Sequence, residues 1–87
     1  MYAIIVYDVS TERVAKVCQF LRKFMNWVQN SVFEGEVTKS ELERIRRGLE
    51  ERIDKTQDFV IFYVLRTDDL LKRDIMGIEK SKTGNVI

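Results

Sequence analysis

The sequence predicts an α+β sandwich in which two helices cover one face of an antiparallel sheet. Three observations lead there. Two continuous apolar runs, at residues 2–9 and 58–65, read as strands, the first of them covered on both faces. Two stretches at helical spacing lie between them, separated by a stretch that switches to a period of two. The chain has 87 residues, which suits one domain around one modest core, 1–87.

The elements follow in order. "YAIIVYDV" is dense in β-branched and aromatic residues, and Ile4, Ile5 and Val6 run without a polar break, as in the middle of a sheet. Ser10 or Thr11 can cap the next helix, with Glu12 near its positive end. Val14, Val17, Cys18, Leu21, Phe24 and Met25 give that helix one apolar stripe through about residue 25. "NWVQNSVFEGEV" then places Trp27, Gln29, Ser31 and Phe33 on one face of either one bent strand or a short hairpin, with Gly35 as a bulge or turn. "TKSELERIRRGLEERI" opens on a capping box, Thr38 with Glu41, and buries Leu42, Ile45, Leu49 and Ile53. Glu43–Arg47, Arg46–Glu50 and Arg47–Glu51 are spaced for ion pairs on its surface. Gly48 inside a helix costs about 1 kcal/mol against alanine, so something is expected to pack closely there. After the strand "DFVIFYVL" comes a mixed segment, with Ile75, Met76 and Ile78 as a short extra strand and an apolar end. We expect this tail, residues 66–87, to dock on a second subunit. The order strand, helix, strand or strand pair, helix, strand, with two helices on one face of a sheet, points to the ferredoxin-like sandwich. The sheet's other face is then apolar too, which predicts a homodimer built sheet against sheet.

Composition removes several classes of function. Net charge is +1, so no bulk electrostatic argument points to nucleic acid. The chain has no histidine, hence lacks the commonest general base and transition-metal ligand. It has one cysteine, Cys18, read as a plain core thiol, which fits a reducing cytoplasm. No apolar run approaches the roughly 18 residues of a membrane span, and the first residues lack the basic lead-in of a signal peptide. There is no P-loop, no metal-spaced Cys or His set and no Ser–His–Asp arrangement.

What remains is carboxylates, hydroxyls, Tyr7 and arginines. Asp8 stands where a central strand leaves the sheet. One reading makes it a polar stop that accepts backbone N–H bonds. The other uses the dimer: a twofold axis near the strand ends would bring two Asp8 carboxylates together, and the pair would recruit a hard cation such as Mg²⁺. Such an ion can activate water and polarise a phosphodiester. Most basic residues are interleaved with glutamate and read as a solvated surface. Arg13, Lys16, Arg22 and Lys23 have fewer acidic neighbours and are the better candidates for phosphate contacts. Trp27 and Phe33 could stack on bases, although aromatics at strand spacing are more often core.

"IIVYDVS", "RVAKVCQFLRKF", "WVQNSVFEGEVT" and "DFVIFYVL" together resemble the CRISPR-associated protein 2 family over essentially the whole chain. The resemblance implies a ferredoxin-like homodimer in which Asp8 binds a divalent metal, Mg²⁺ or another, shared between subunits. It implies a metal-dependent endonuclease acting on single-stranded RNA or double-stranded DNA. It also implies a role in CRISPR adaptation, the dimer sitting between copies of the CRISPR-associated integrase. Tyr7 and Asp8 carry over as catalytic positions, Ser10 and Phe33 as residues that shape the site, and Arg13 as a basic position. Many members have an arginine where this chain has Trp27, so Arg22 or Lys23 would have to supply that phosphate contact. The alternative within the family is a non-catalytic DNA-binding adaptor. A regulatory effector-binding domain is the reading from another class, and it would need a loop glycine cluster that the sequence does not show.

Overall fold

The computed structural model describes residues 1–66 and 76–77. Six elements form in the order β1 (Tyr2–Asp8), α1 (Thr11–Leu21), β2 (Asn26–Gln29), β3 (Val32–Glu36), α2 (Lys39–Arg52) and β4 (Phe59–Leu65). The four strands make one sheet in the order β2-β3-β1-β4, and every neighbouring pair is antiparallel. This is the ferredoxin-like sandwich that the sequence predicts. The proposed strand at residues 75–78 and the docking tail at 66–87 fall almost wholly outside the described residues.

β1 is central, as its unbroken apolar run requires. Ala3, Ile5 and Tyr7 face the helices and are buried, while Ile4 and Val6 face the other way and are half-buried. The helix-side core joins them to Val17 and Leu21 of α1, Phe33 of β3, and Ile45 and Leu49 of α2. Burying a side chain of that size contributes about 1.5–3 kcal/mol, so these few residues supply most of the cohesion between the layers.

Two boundaries differ from expectation. α1 ends at Leu21 rather than near residue 25. Beyond it the bonding tightens to i→i+3, with Lys23 N donating to Phe20 O at 3.2 Å and Phe24 N to Leu21 O at 3.0 Å. Phe24 and Met25 still pack on the core, but from a turn. Residues 26–36 resolve into a hairpin, turning at Asn30, whose φ of 42° is left-handed and is tolerated by asparagine. The irregularity expected at Gly35 lies instead in β2, between Trp27 and Gln29. Gly35 sits in regular pairing opposite Ala3.

α2 has the expected capping box. Glu41 N donates to Thr38 Oγ1 at 3.1 Å, and Thr38 N to Glu41 Oε1 at 2.8 Å. Gly48 is where α1 and α2 come closest: a Cβ there would collide with the ring of Phe20. The three predicted i,i+4 pairs are not formed among the described residues. Glu50 bonds Lys55 at 2.8 Å instead, while Arg46 stacks over Phe62 and Arg44 over Phe24. For Arg46, an aromatic surface has replaced a surface ion pair that is worth little in water.

Candidate functional site at the end of the central strand

Register places the residues on each face of the sheet. Asp8 pairs with Phe59, Val6 with Ile61 and Ile4 with Tyr63, so these side chains share the face away from the helices. Phe59 and Tyr63 are 54% and 53% exposed there. The second apolar face expected from the sequence is therefore present, with an exposed carboxylate at its end.

The Asp8 side chain makes no hydrogen bond or ion pair among the described residues. The role of polar stop belongs to another carboxylate. Asp58, 5% exposed, accepts from Ser10 N at 3.0 Å and from Asp54 N at 2.9 Å. It also accepts two bonds from Arg13, Nε at 2.6 Å and Nη2 at 2.9 Å. This clasp ties the turn after β1 to the loop before β4. The Arg13 guanidinium holds the Asp58 carboxyl well below the usual carboxylate range, against the cost of burial, and the two backbone N–H groups add to that. The hydrogen bond to Asp58 in turn raises Arg13. Arg13 is thus committed inside the fold, its side chain 19% exposed, and is not the open phosphate contact expected of it.

The other predicted residues scatter. Tyr7 does not join Asp8: its side chain points to the helix face, is 3% exposed, and its hydroxyl lies 2.9 Å from Cys18 Sγ. Burial, and then the contact with Cys18, push its phenol well above the ordinary value, so it stays protonated. Phe33 is fully buried beside Tyr7, ring centroids 6.1 Å apart, and shapes the core rather than the surroundings of Asp8. Ser10 stands at the N-cap of α1 without capping it. Its Oγ donates to Glu12 at 3.3 Å, while its backbone N–H holds Asp58. Lys16, Arg22 and Lys23 are exposed on the helix side and form no ion pair among the described residues. Lys16 and Lys23 border one groove with Arg52; Lys23 borders another with Arg44, Arg47 and Arg52. Asp58 had no local signal in the sequence, since its partners Arg13 and Ser10 lie 45 and 48 residues away.

A single chain supplies one hard-oxygen ligand here. Among the described residues no group of three or more His, Cys, Asp or Glu could hold a metal. The donor chemistry suits a hard cation only when a second Asp8 completes it. No helix among the described residues is long and apolar enough to cross a membrane.

Fold and strand end together define a class: a small ferredoxin-like domain with an apolar outer sheet face that ends in an unpartnered carboxylate. The family model for CRISPR associated protein Cas2 matches residues 1–73, and the chain belongs to that family. It is 54% identical over its full length to a protein of Thermococcus kodakarensis named CRISPR-associated endoribonuclease Cas2, which it also covers completely. A protein of the same name from Methanocaldococcus jannaschii is 54% identical over the whole chain and 76% of its own length. Among solved structures, one titled as a crystal structure of Cas2 aligns with a TM-score of 0.85 at 36% identity, covering 100% of this chain and 98% of its own. Streptococcus pyogenes Cas2 at pH 6.5 aligns at 0.78 and 32%, covering 88% of this chain and all of its own.

Proposed function

We propose that this chain is a metal-dependent endonuclease of the CRISPR system, cleaving phosphodiester bonds in single-stranded RNA or double-stranded DNA as a cytoplasmic homodimer. The observation that carries this reading is Asp8. It is an exposed carboxylate at the end of the central strand, and the fold makes no use of it. The endoribonuclease names of its relatives support the same reading.

Asp8 from each subunit would hold a shared Mg²⁺ or another divalent cation. When bound, that ion supplies Lewis-acid polarisation of the phosphodiester and a more acidic water. The chain's own contribution is positional. The Arg13–Asp58 clasp fixes the turn two residues beyond Asp8, and the β1–β4 register fixes the strand end itself. Lys16, Arg22 and Lys23 are exposed on the helix side, where they would meet phosphates away from Asp8 itself. Tyr7 supports the strand from the opposite face and takes no part in proton transfer at Asp8.

A second reading is favoured by how little apparatus accompanies Asp8. With no histidine in the chain and no group of three or more metal-binding side chains among the described residues, the dimer could serve adaptation as a DNA-binding adaptor between copies of the CRISPR integrase. Asp8→Asn separates the two. Mg²⁺-dependent cleavage of RNA and duplex DNA is expected to fall on the order of 100-fold or more, as for loss of a metal ligand's support, while duplex binding persists. Cleavage by the variant at the wild-type rate would remove Asp8 from the chemistry and leave the adaptor reading.

A further inference from the structure

On the helix side of the sheet, at the same end of β1 but on the face opposite Asp8, a cleft of about 580 Å³ opens between α1 and the β2–β3 hairpin. Cys18 and Val14 lie on its α1 wall, Trp27 on the hairpin wall, and Arg22, Asn30 and Ser31 at its rim. Its size falls within the range of small-molecule sites, about 300–1,000 Å³.

Three features give this cleft a chemistry. The indole of Trp27 is held by its own N–H, which donates to the carbonyl of Asn30 at 3.0 Å across the turn. That fixes the ring while leaving it only partly buried. Arg22, at the C-cap of α1, is exposed and has no anionic partner among the described residues. The Asn30 carboxamide and the Ser31 hydroxyl likewise have no hydrogen-bond partner among the described residues and line the same cleft. A flat aromatic surface, neutral polar groups and one cation lining one cleft are the groups that a flat base, its polar edge and a phosphate call for.

We propose that this cleft binds a purine nucleoside 5′-monophosphate unit, with the base on Trp27, its edge read by Asn30 and Ser31, and the phosphate at Arg22. A base stacks on an indole face whatever its sequence context. An exposed guanidinium can take a phosphate with paired N–H donors. The site uses neither Asp8 nor any residue of the outer sheet face; it shares Arg22 with the phosphate contacts proposed above, so Asp8→Asn and not Arg22→Gln is the variant that separates it from the nuclease reading.

The chain has one tryptophan, so its fluorescence reports on this cleft alone. The experiment titrates AMP, adenosine and ribose 5-phosphate into the full chain in chelator-containing buffer, exciting where adenine does not absorb. AMP is expected to quench Trp27 saturably, with a dissociation constant on the order of 0.1–1 mM for so open a site. Ribose 5-phosphate should leave the signal unchanged. Arg22→Gln, a change at an exposed position that leaves the fold intact, should weaken AMP about tenfold and leave adenosine as it was. Asp8→Asn should bind AMP as the wild type does. An RNA oligomer with a 5′-phosphate that displaces AMP, where its 5′-hydroxyl counterpart does not, identifies a strand end as the source. Displacement by neither identifies the free nucleotide. Quenching that never saturates, or AMP affinity unchanged in Arg22→Gln, overturns the proposal.

Discussion

Replacing Gly48 by alanine sets two effects of opposite sign against each other. Alanine is about 1 kcal/mol better than glycine inside a helix, so the change should stabilise α2 if nothing else intervenes. The new Cβ, however, would fall on the outer edge of the Phe20 ring, nearest to Cζ, with Cε1 at 2.5 Å and Cε2 at 2.6 Å. Carbon atoms rest at about 3.5–4.0 Å, so the ring must retreat by roughly 1–2 Å. It is not free to do so. Phe24 packs edge-on against it at 5.4 Å between centroids, and the Arg52 guanidinium lies 4.2 Å over its face. Overpacking of this kind costs about 1–3 kcal/mol, and disturbing the Arg52 contact about 0.5–1 more. The net result is a loss of about 0.5–3 kcal/mol, and with roughly 4–8 °C per kcal/mol for a domain of this size the melting temperature should drop by about 2–24 °C. Phe20→Leu removes Cζ and both Cε atoms while keeping an apolar side chain. In that background Gly48→Ala should recover the helix gain and raise the melting temperature. Thermal denaturation of the four variants reads the reversal of sign directly. Equal stabilisation by Gly48→Ala in both backgrounds would refute the close approach of α1 and α2 at this point.

Two further outcomes are expected. Asp58 has a depressed pKa, so its contribution to stability is complete above the unfolded-state value near 4 and is lost as pH falls toward the lower folded-state value. Asp58→Asn should therefore lose up to about one proton from the slope of stability against pH below pH 4, as read by urea denaturation across that range; an unchanged acid slope would mean that Arg13 does not hold the carboxylate. Tyr63→Glu puts a charge on a half-exposed residue of the outer sheet face. It should give a folded monomer by sedimentation at micromolar concentration, whereas a dimer equal to wild type would place the subunit contact elsewhere.

Much of this fold was legible because local pattern and global position agree. An unbroken apolar run named β1 as central, and Thr38 with Glu41 named the start of α2. The hairpin stayed open because both readings use the same residues. Asn30 at a positive φ and the irregularity after Trp27 decide it, and neither has a period to read. Of the expected ion pairs on α2, Arg46–Glu50 failed for a tertiary reason: the ring of Phe62 on β4 offered Arg46 another surface, and Glu50 took Lys55. Tyr7 is a different case. Neighbours on a strand point to opposite faces, so Tyr7 and Asp8 could never share a site, and the period of two already said so.

The two carboxylates near the end of β1 divide between them the two roles read for Asp8 alone. Asp58 is buried, paired and bonded by two backbone N–H groups, and so carries the structural task of joining the turn after β1 to the loop before β4. That leaves Asp8 without a structural reason to be acidic. As long as the outer face meets water, an exposed carboxylate opposite Phe59 costs little. Covering that face with a second copy changes the balance, because two carboxylates drawn together near a twofold axis repel more strongly as water leaves. A cation between them would turn the same geometry from a penalty into a contact. The proposed dimer and the proposed metal therefore support each other: each is a weaker idea without the other, and an unpartnered Asp8 is the residue that both would need.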